Sequence, residues 1–128
     1  MRRGKMLIVE DELIARENLD HVLKKEGYDT VAVESGVLAF KELEKQEFDL
    51  VMTDLKMQQV DGLQVLERTK ELSPDTEVIM ITGFATVSTA VEAMQKGAYQ
   101  YLPKPYKIDE VRILVAKAME KRSLRQEV

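Results

Sequence analysis

The sequence has no cysteine and no tryptophan, and it contains a single histidine. Without cysteine there is no disulfide framework, no thiolate metal site and no cysteine nucleophile. One histidine, His21, excludes a zinc centre built from several histidines of one chain. The six glycines show no Gly-x-Gly-x-x-Gly spacing, which excludes the phosphate-binding turn of a dinucleotide-binding domain.

The chain also lacks a strong excess of either charge and any long apolar run. Nineteen basic residues stand against 23 acidic ones, and the net charge of -4 disfavours direct nucleic-acid binding by this domain. After the basic residues 1–5, an apolar run ends at Glu10, too early for a signal peptide, and no run approaches the ~20 residues of a membrane span. We expect a cytoplasmic protein that does not contact a membrane.

Five short apolar runs alternate with helical patterns along the chain. Strands that alternate with helices predict an α/β domain with a parallel sheet, and continuous apolar runs fit strands buried on both faces. We predict one doubly wound (βα)5 domain over residues 1–120, with the second strand at an edge, and a helical extension or linker over residues 121–128. The runs are residues 6–9, 28–33, 50–52, 78–81 and 99–102.

Three acidic side chains follow buried runs at one predicted edge of the sheet. Glu10 and Asp11 come directly after the first run, and Asp54 follows the third. Ligands of such sheets bind outside the carboxyl ends of the strands, and converging carboxylates are costly without a cation. Oxygen ligands without histidine or cysteine favour Mg²⁺. Glu12, in contrast, fits a simple role in the first turn of the next helix.

Two further polar residues end the fifth and fourth runs at the same edge. Lys104 stands between Pro103 and Pro105, which restrict its backbone, so it either counters the acidic cluster, binds a phosphoryl oxygen or is simply solvated. A tight turn is needed there, and we predict a cis peptide bond before Pro105. Thr82, which precedes Gly83, can hydrogen-bond an anion, although this signal alone is weak.

Five motifs in this order together resemble the receiver domain of bacterial two-component response regulators. The resemblance covers residues 5–119. It implies a flavodoxin-like, CheY-like fold with strand order 2-1-3-4-5, and a signalling domain rather than an enzyme that acts on a separate substrate. The motifs are the acidic pair Glu10-Asp11, Asp54 within residues 51–57, Asp61-Gly62, Thr82-Gly83, and residues 99–105.

The resemblance assigns roles to the acidic residues. Asp54 matches the phosphoacceptor, which takes a phosphoryl group from a sensor histidine kinase. Asp11, Asp54 and the backbone carbonyl of Lys56 match the ligands of Mg²⁺, and Glu10 matches an acid that helps to hold the metal, often through water.

It also assigns roles to residues at the ends of the last two strands. Lys104 and Thr82 match residues that contact the phosphoryl group, and Thr82 with Tyr101 matches a switch pair. Gln58 departs from the family pattern, which usually has proline there, so we expect an altered loop but the same chemistry.

Residues 82–87 and 90–99 resemble receivers of the NtrC type. Such receivers precede an AAA+ ATPase module and a helix-turn-helix in activators of sigma-54-dependent transcription. The sequence has neither a Gly-x-x-x-x-Gly-Lys phosphate loop nor a basic recognition helix, so it is an excised receiver or a stand-alone one. We expect homodimer contact through the last helix, where Ile113 lies off the buried stripe; a solvated tail is the alternative.

Two other functional classes compete with a signalling receiver. A phosphohydrolase of the haloacid-dehalogenase kind also forms an aspartyl phosphate with Mg²⁺, but it needs an acid two residues after its nucleophile, where this chain has Lys56. A pure interaction domain that never takes phosphate is the third class.

Overall fold

The computed structural model of the chain describes residues 4–83 and 85–126. In this part of the chain, strands and helices alternate from end to end, as the apolar runs predict. The strands are β1 (Lys5–Val9), β2 (Asp29–Val33), β3 (Leu50–Asp54), β4 (Glu77–Thr82) and β5 (Gln100–Pro103). The helices are α1 (Leu13–Lys25), α2 (Gly36–Lys45), α3 (Gly62–Leu72), α4 (Val87–Gln95) and α5 (Ile108–Gln126).

The strands form one parallel sheet in the order β2-β1-β3-β4-β5, which confirms the predicted fold class. Every residue of β2 is only partly buried, as expected of an edge strand, whereas β3 and β4 are buried throughout. In the register of β1 and β3, Val9 lies opposite Thr53. Glu10 and Asp54 are the next residues of these neighbouring chains, so they reach the carboxyl edge of the sheet at the same level.

Each face of the sheet packs against its own layer of helices. Alternate side chains of a strand point to opposite faces. Met6 and Ile8 of β1 therefore join the core that contains the buried residues of α1 and α5, whereas Leu7 and Val9 join the core formed with α2, α3 and α4. Both faces of the central strands are buried, and their buried polar side chains lie at or next to the strand ends.

The far end of α5 is tied to the amino edge of the sheet. The buried guanidinium of Arg122 lies 2.8 Å from Asp49, whose other oxygen accepts a hydrogen bond from the backbone N–H of Lys5. Lys121 lies 3.6 Å from the buried carboxylate of Glu77 and above the ring of Tyr99. Helix α5 continues to Gln126, so the predicted extension is helical over residues 121–126, and its role as the start of a linker stays a prediction. Residues 127 and 128 lie outside the described residues. None of the helices in the described ranges has the length and apolar character needed to cross a membrane.

Gly62 is the first residue of α3, and it sits directly against the end of β3. A Cβ at this position would collide with the backbone oxygen of Asp54 and lie 2.8 Å from the Cα of Leu55. Helix α3 can therefore approach the strand this closely only because residue 62 has no side chain.

We expect Gly62→Ala to lower the free energy of unfolding by about 1–3 kcal/mol, the usual cost of forcing an extra methyl group into a packed region. Gly83→Ala is the matched control, because no described heavy atom lies within 4 Å of its Cβ position. Urea unfolding followed by circular dichroism measures both variants. Equal stability of the two variants would contradict the close approach.

Candidate functional site

Three carboxylates meet at the carboxyl edge of the sheet, where β1 and β3 end. Glu10, Asp11 and Asp54 each have a carboxylate oxygen within 4.8 Å of the others. Glu10 and Asp54 are buried, 2% and 7% exposed, and Asp11 is exposed to solvent. The sequence predicts correctly that these three side chains lie close together, because all three stand at or just after the ends of buried strands.

Lys104 brings a positive charge into this cluster. Its ammonium nitrogen lies 2.7 Å from Glu10 Oε1 and 2.8 Å from Asp54 Oδ2. The backbone of Lys104 is fixed at the end of β5, where its N–H donates to the carbonyl of Thr82 over 2.8 Å, and the Lys104–Pro105 peptide bond is cis. From the end of β5, the Lys104 side chain reaches the carboxylates that follow β1 and end β3.

Burial and pairing act in opposite directions on these groups. Burial disfavours the ammonium form of Lys104, but its hydrogen bonds with Asp54 and Glu10 outweigh this and raise its pKa above the ordinary value. Burial also raises the pKa of Glu10, while hydrogen bonds from Lys104 and from the N–H of Glu12 act against the rise. With all four side chains ionised, three negative charges and one positive charge leave the cluster at -2.

The donor set of this cluster fits Mg²⁺. Its ligand atoms are carboxylate oxygens, with neither histidine nor cysteine among the residues that meet here. The residual charge of -2 complements a divalent cation, and the exposed Asp11 gives access from solvent. Lys56 belongs to the same site through its backbone, because its N–H donates to Asp54 Oδ1 over 3.1 Å.

The loop between Asp54 and α3 closes through backbone turns. The N–H of Val60 donates to the carbonyl of Gln58 over 2.8 Å, and Gln59 between them has φ 67°. Asp61 then caps α3 with its side chain, and Gln64 completes the reciprocal capping box. The loop that lacks the usual proline at Gln58 is thus closed by a three-residue turn with a left-handed central residue.

Thr82 and Tyr101 lie on the neighbouring strands β4 and β5. Thr82 is fully buried at the end of β4. Tyr101 lies opposite Met80, two residues before Thr82 on β4, and its hydroxyl is 2.8 Å from Thr89 Oγ1 on α4. The sequence did not predict the Thr89 contact, since it depends on how α4 is rotated about its axis.

Glu10 has more partners than its position in the sequence suggests. Besides Lys104, its carboxylate accepts a hydrogen bond from the N–H of Glu12 at the start of α1, where Glu12 makes no cap with its own side chain. Its backbone carbonyl accepts a hydrogen bond from Arg16 over 2.9 Å. This contact was not predicted from the sequence.

Comparisons with a family model and with curated relatives agree on one protein family. The family model of the response regulator receiver domain matches residues 6–116. The alginate biosynthesis transcriptional regulatory protein AlgB of Pseudomonas aeruginosa is 37% identical over 123 residues, which are 96% of this chain and 27% of the relative. The transcriptional regulatory protein ZraR of Escherichia coli is 35% identical over 114 residues, or 89% of this chain and 26% of the relative.

Solved structures agree with the sequence relatives. The crystal structure of the receiver domain of NtrX from Brucella abortus has a TM-score of 0.84 and is 32% identical, with 90% of this chain and 98% of that chain covered. The chain spans about a quarter of the length of the curated relatives that it matches. The similarity to the transcriptional regulators therefore concerns one part of those proteins.

We expect Lys104→Met to lower the free energy of unfolding by about 3 kcal/mol at neutral pH, because it leaves two buried carboxylates without their cation. The loss should shrink at lower pH, where protonation removes the repulsion, and on addition of Mg²⁺. Urea unfolding across pH measures the effect, with Lys107→Met as the control, since Lys107 is exposed. A pH-independent loss, or one shared by the control, would contradict this account.

Proposed function

Because the chain belongs to the response regulator receiver domain family, we propose that Asp54 accepts a phosphoryl group from the phosphohistidine of a sensor histidine kinase. One observation carries the proposal. The Asp54 carboxylate ends a buried strand and is held at both oxygens, with the Lys56 N–H at Oδ1 and the Lys104 ammonium at Oδ2. A carboxylate fixed in this way is oriented for attack before the donor arrives.

The reaction at Asp54 is a simple displacement at phosphorus. A lone pair of a carboxylate oxygen forms the new P–O bond, the P–N bond to the donor histidine breaks, and its electron pair stays on the imidazole nitrogen. Lys104 contributes a positive charge at the place where phosphoryl oxygens arrive, and Thr82 contributes a hydroxyl. The chain supplies orientation and electrostatic stabilisation.

We assign Mg²⁺ to Asp11, Asp54 and the backbone carbonyl of Lys56, with Glu10 helping to hold it. When bound, Mg²⁺ would neutralise negative charge on the phosphoryl oxygens. The fit is supported by the oxygen-only donor set and by the residual charge of -2. Glu10 is already engaged by Lys104 and by the Glu12 N–H, which favours an indirect role for its carboxylate.

We propose that Thr82 and Tyr101 form the switch that reports phosphorylation. The Thr82 hydroxyl would turn towards a phosphoryl oxygen, and Tyr101 would leave Thr89 and move inward. A phosphoryl group adds almost two negative charges at neutral pH, which suffices to shift an equilibrium of a few kcal/mol. The change would be passed to α4, whose first turn holds Thr89.

We propose that the domain belongs to the NtrC type and controls a sigma-54-dependent AAA+ activator of transcription in the cytoplasm. The matches to transcriptional regulators support this output, although they cover only about a quarter of those proteins. A stand-alone receiver remains the second candidate. Direct nucleic-acid or membrane binding by this domain finds no support in its net charge of -4.

A homodimer through the last helix stays part of the proposal. Ile113 of α5 is 57% exposed, which supports a contact surface there. In the sequence, Met119 and Leu124 are further apolar residues of the predicted face, but Met119 packs against the core, so the available apolar face is narrower. The side chain of Leu124 lies outside the described residues.

We expect acetyl phosphate with Mg²⁺ to add one phosphoryl group to the wild type and none to Asp54→Asn, as measured by intact-protein mass spectrometry. Asp11→Ala should also lose labelling, because a metal ligand is removed. Asp75→Asn, which alters an exposed acid, should label like the wild type. Labelling of Asp54→Asn at a comparable level would refute the assignment, and turnover of a chromogenic phosphate ester would favour the phosphohydrolase.

We expect Thr82→Ala to keep nearly full phosphorylation but to lose its structural consequence. Side-chain NMR of Tyr101 and sedimentation, each with and without beryllofluoride as a phosphate mimic, measure that consequence. The wild type should show a changed Tyr101 environment and a shift towards dimer, and Thr82→Ala should show neither. Equal loss of phosphorylation and of the Tyr101 change in Thr82→Ala would argue against a switch role.

A further inference from the structure

Arg16 closes the loop that carries the exposed member of the acidic cluster. It lies in the first turn of α1, and its guanidinium donates a hydrogen bond to the backbone carbonyl of Glu10 over 2.9 Å. Its own N–H donates to the carbonyl of Glu12, which fixes Arg16 in the helix. The side-chain bond therefore spans residues 10–16 and encloses Asp11.

This bond acts on a particular peptide plane. The carbonyl of Glu10 belongs to the peptide that joins Glu10 to Asp11, and a peptide unit is planar. On the other side of Glu10, its N–H donates to the carbonyl of Val33 over 3.0 Å. With the backbone of Glu10 held at both ends, the Glu10–Asp11 peptide fixes the positions of the Asp11 N and Cα, from which the side chain leaves the loop.

The start of α1 offers little else to hold this loop. Glu12, the residue before α1, makes no side-chain cap, and its N–H is satisfied instead by Glu10 Oε2 over 3.1 Å. Glu10 is thus bound to Lys104 on one side and to α1 on the other. The hydrogen bond from the Arg16 guanidinium to the Glu10 carbonyl connects α1 directly to the backbone that precedes Asp11.

We propose that Arg16 is a positioning residue for the divalent cation: through the Glu10 carbonyl it holds Asp11 where its carboxylate meets those of Glu10 and Asp54. This inference rests on the proposed function, because it takes the cluster to be a Mg²⁺ site. When a group that hydrogen-bonds to and orients a metal ligand is removed, the metal typically binds 10–100-fold more weakly.

The direction in which Mg²⁺ affinity changes when Arg16 is replaced distinguishes a positioning role from a purely electrostatic one. A guanidinium close to a cluster of charge -2 opposes the binding of a cation, so loss of its charge alone would strengthen Mg²⁺ binding. Loss of the positioning hydrogen bond would weaken Mg²⁺ binding, because Asp11 would no longer be held in place. The contact of Arg16 at the site is with a carbonyl oxygen, which favours the second effect.

The test is titration of the purified chain with Mg²⁺, measured by calorimetry and by the amide NMR signals of Asp11 and Glu12. We expect Arg16→Met to bind Mg²⁺ about ten-fold more weakly. Arg16→Lys, which keeps a donor and the charge, should recover much of the affinity. Lys25→Met removes the same charge from the same helix, about 13 Å further along its axis, and should bind within about two-fold of the wild type.

A second measurement needs no metal at all. Amide hydrogen exchange at Asp11 and Glu12 should be faster in metal-free Arg16→Met than in the wild type, with exchange in β3 unchanged. Unchanged or tighter Mg²⁺ binding in Arg16→Met, no recovery in Arg16→Lys, or unchanged exchange in the loop would overturn the inference. Failure of the wild type to bind Mg²⁺ would instead overturn the metal assignment in the proposed function.

Discussion

The ammonium of Lys104 between Glu10 and Asp54 is the interaction on which the site depends. Parallel strands necessarily bring residues at their carboxyl ends together, and here three of those residues carry like charges. The Lys104 ammonium lies between two of them, lowers the repulsion within the cluster and leaves it with a net charge of -2. Since a buried ion pair contributes little net stability, its value lies in the geometry that it imposes on Asp54.

The acids at the two ends of β3 show the difference between a structural and a functional pair. Asp49, just before the strand, binds the buried Arg122 with one oxygen and the N–H of Lys5 with the other. Its charge is matched by one fixed partner. Asp54, at the opposite end, shares its cation with Glu10 and stands beside Asp11, so negative charge remains. The excess charge, rather than burial, distinguishes the site.

The sequence predicts strand ends well, but it does not reveal the partners of polar side chains on helices. Glu10, Asp54 and Lys104 could be placed together because each ends an apolar run whose direction in a parallel sheet is known. The hydrogen bond of Arg16, the contact between Tyr101 and Thr89, and the burial of Arg122 could not be read in the same way. Each depends on the rotation of a helix about its axis or on where its last turn docks, and a charged or hydroxyl residue in a helix looks solvated in sequence.

The weak attachment of α4 explains why a change at Thr82 could be transmitted. Ala93 is the residue of α4 that is buried, whereas α3 buries four residues against the sheet, and Val87 at the start of α4 is 83% exposed. The first turn of α4 is instead held by hydroxyls, because Thr89 bonds both Thr86 and Tyr101. A hydrogen bond of this kind contributes about 1 kcal/mol net. Moving Tyr101 therefore costs little and acts on the helix that is least anchored by apolar burial, and this makes α4 the element best suited to respond.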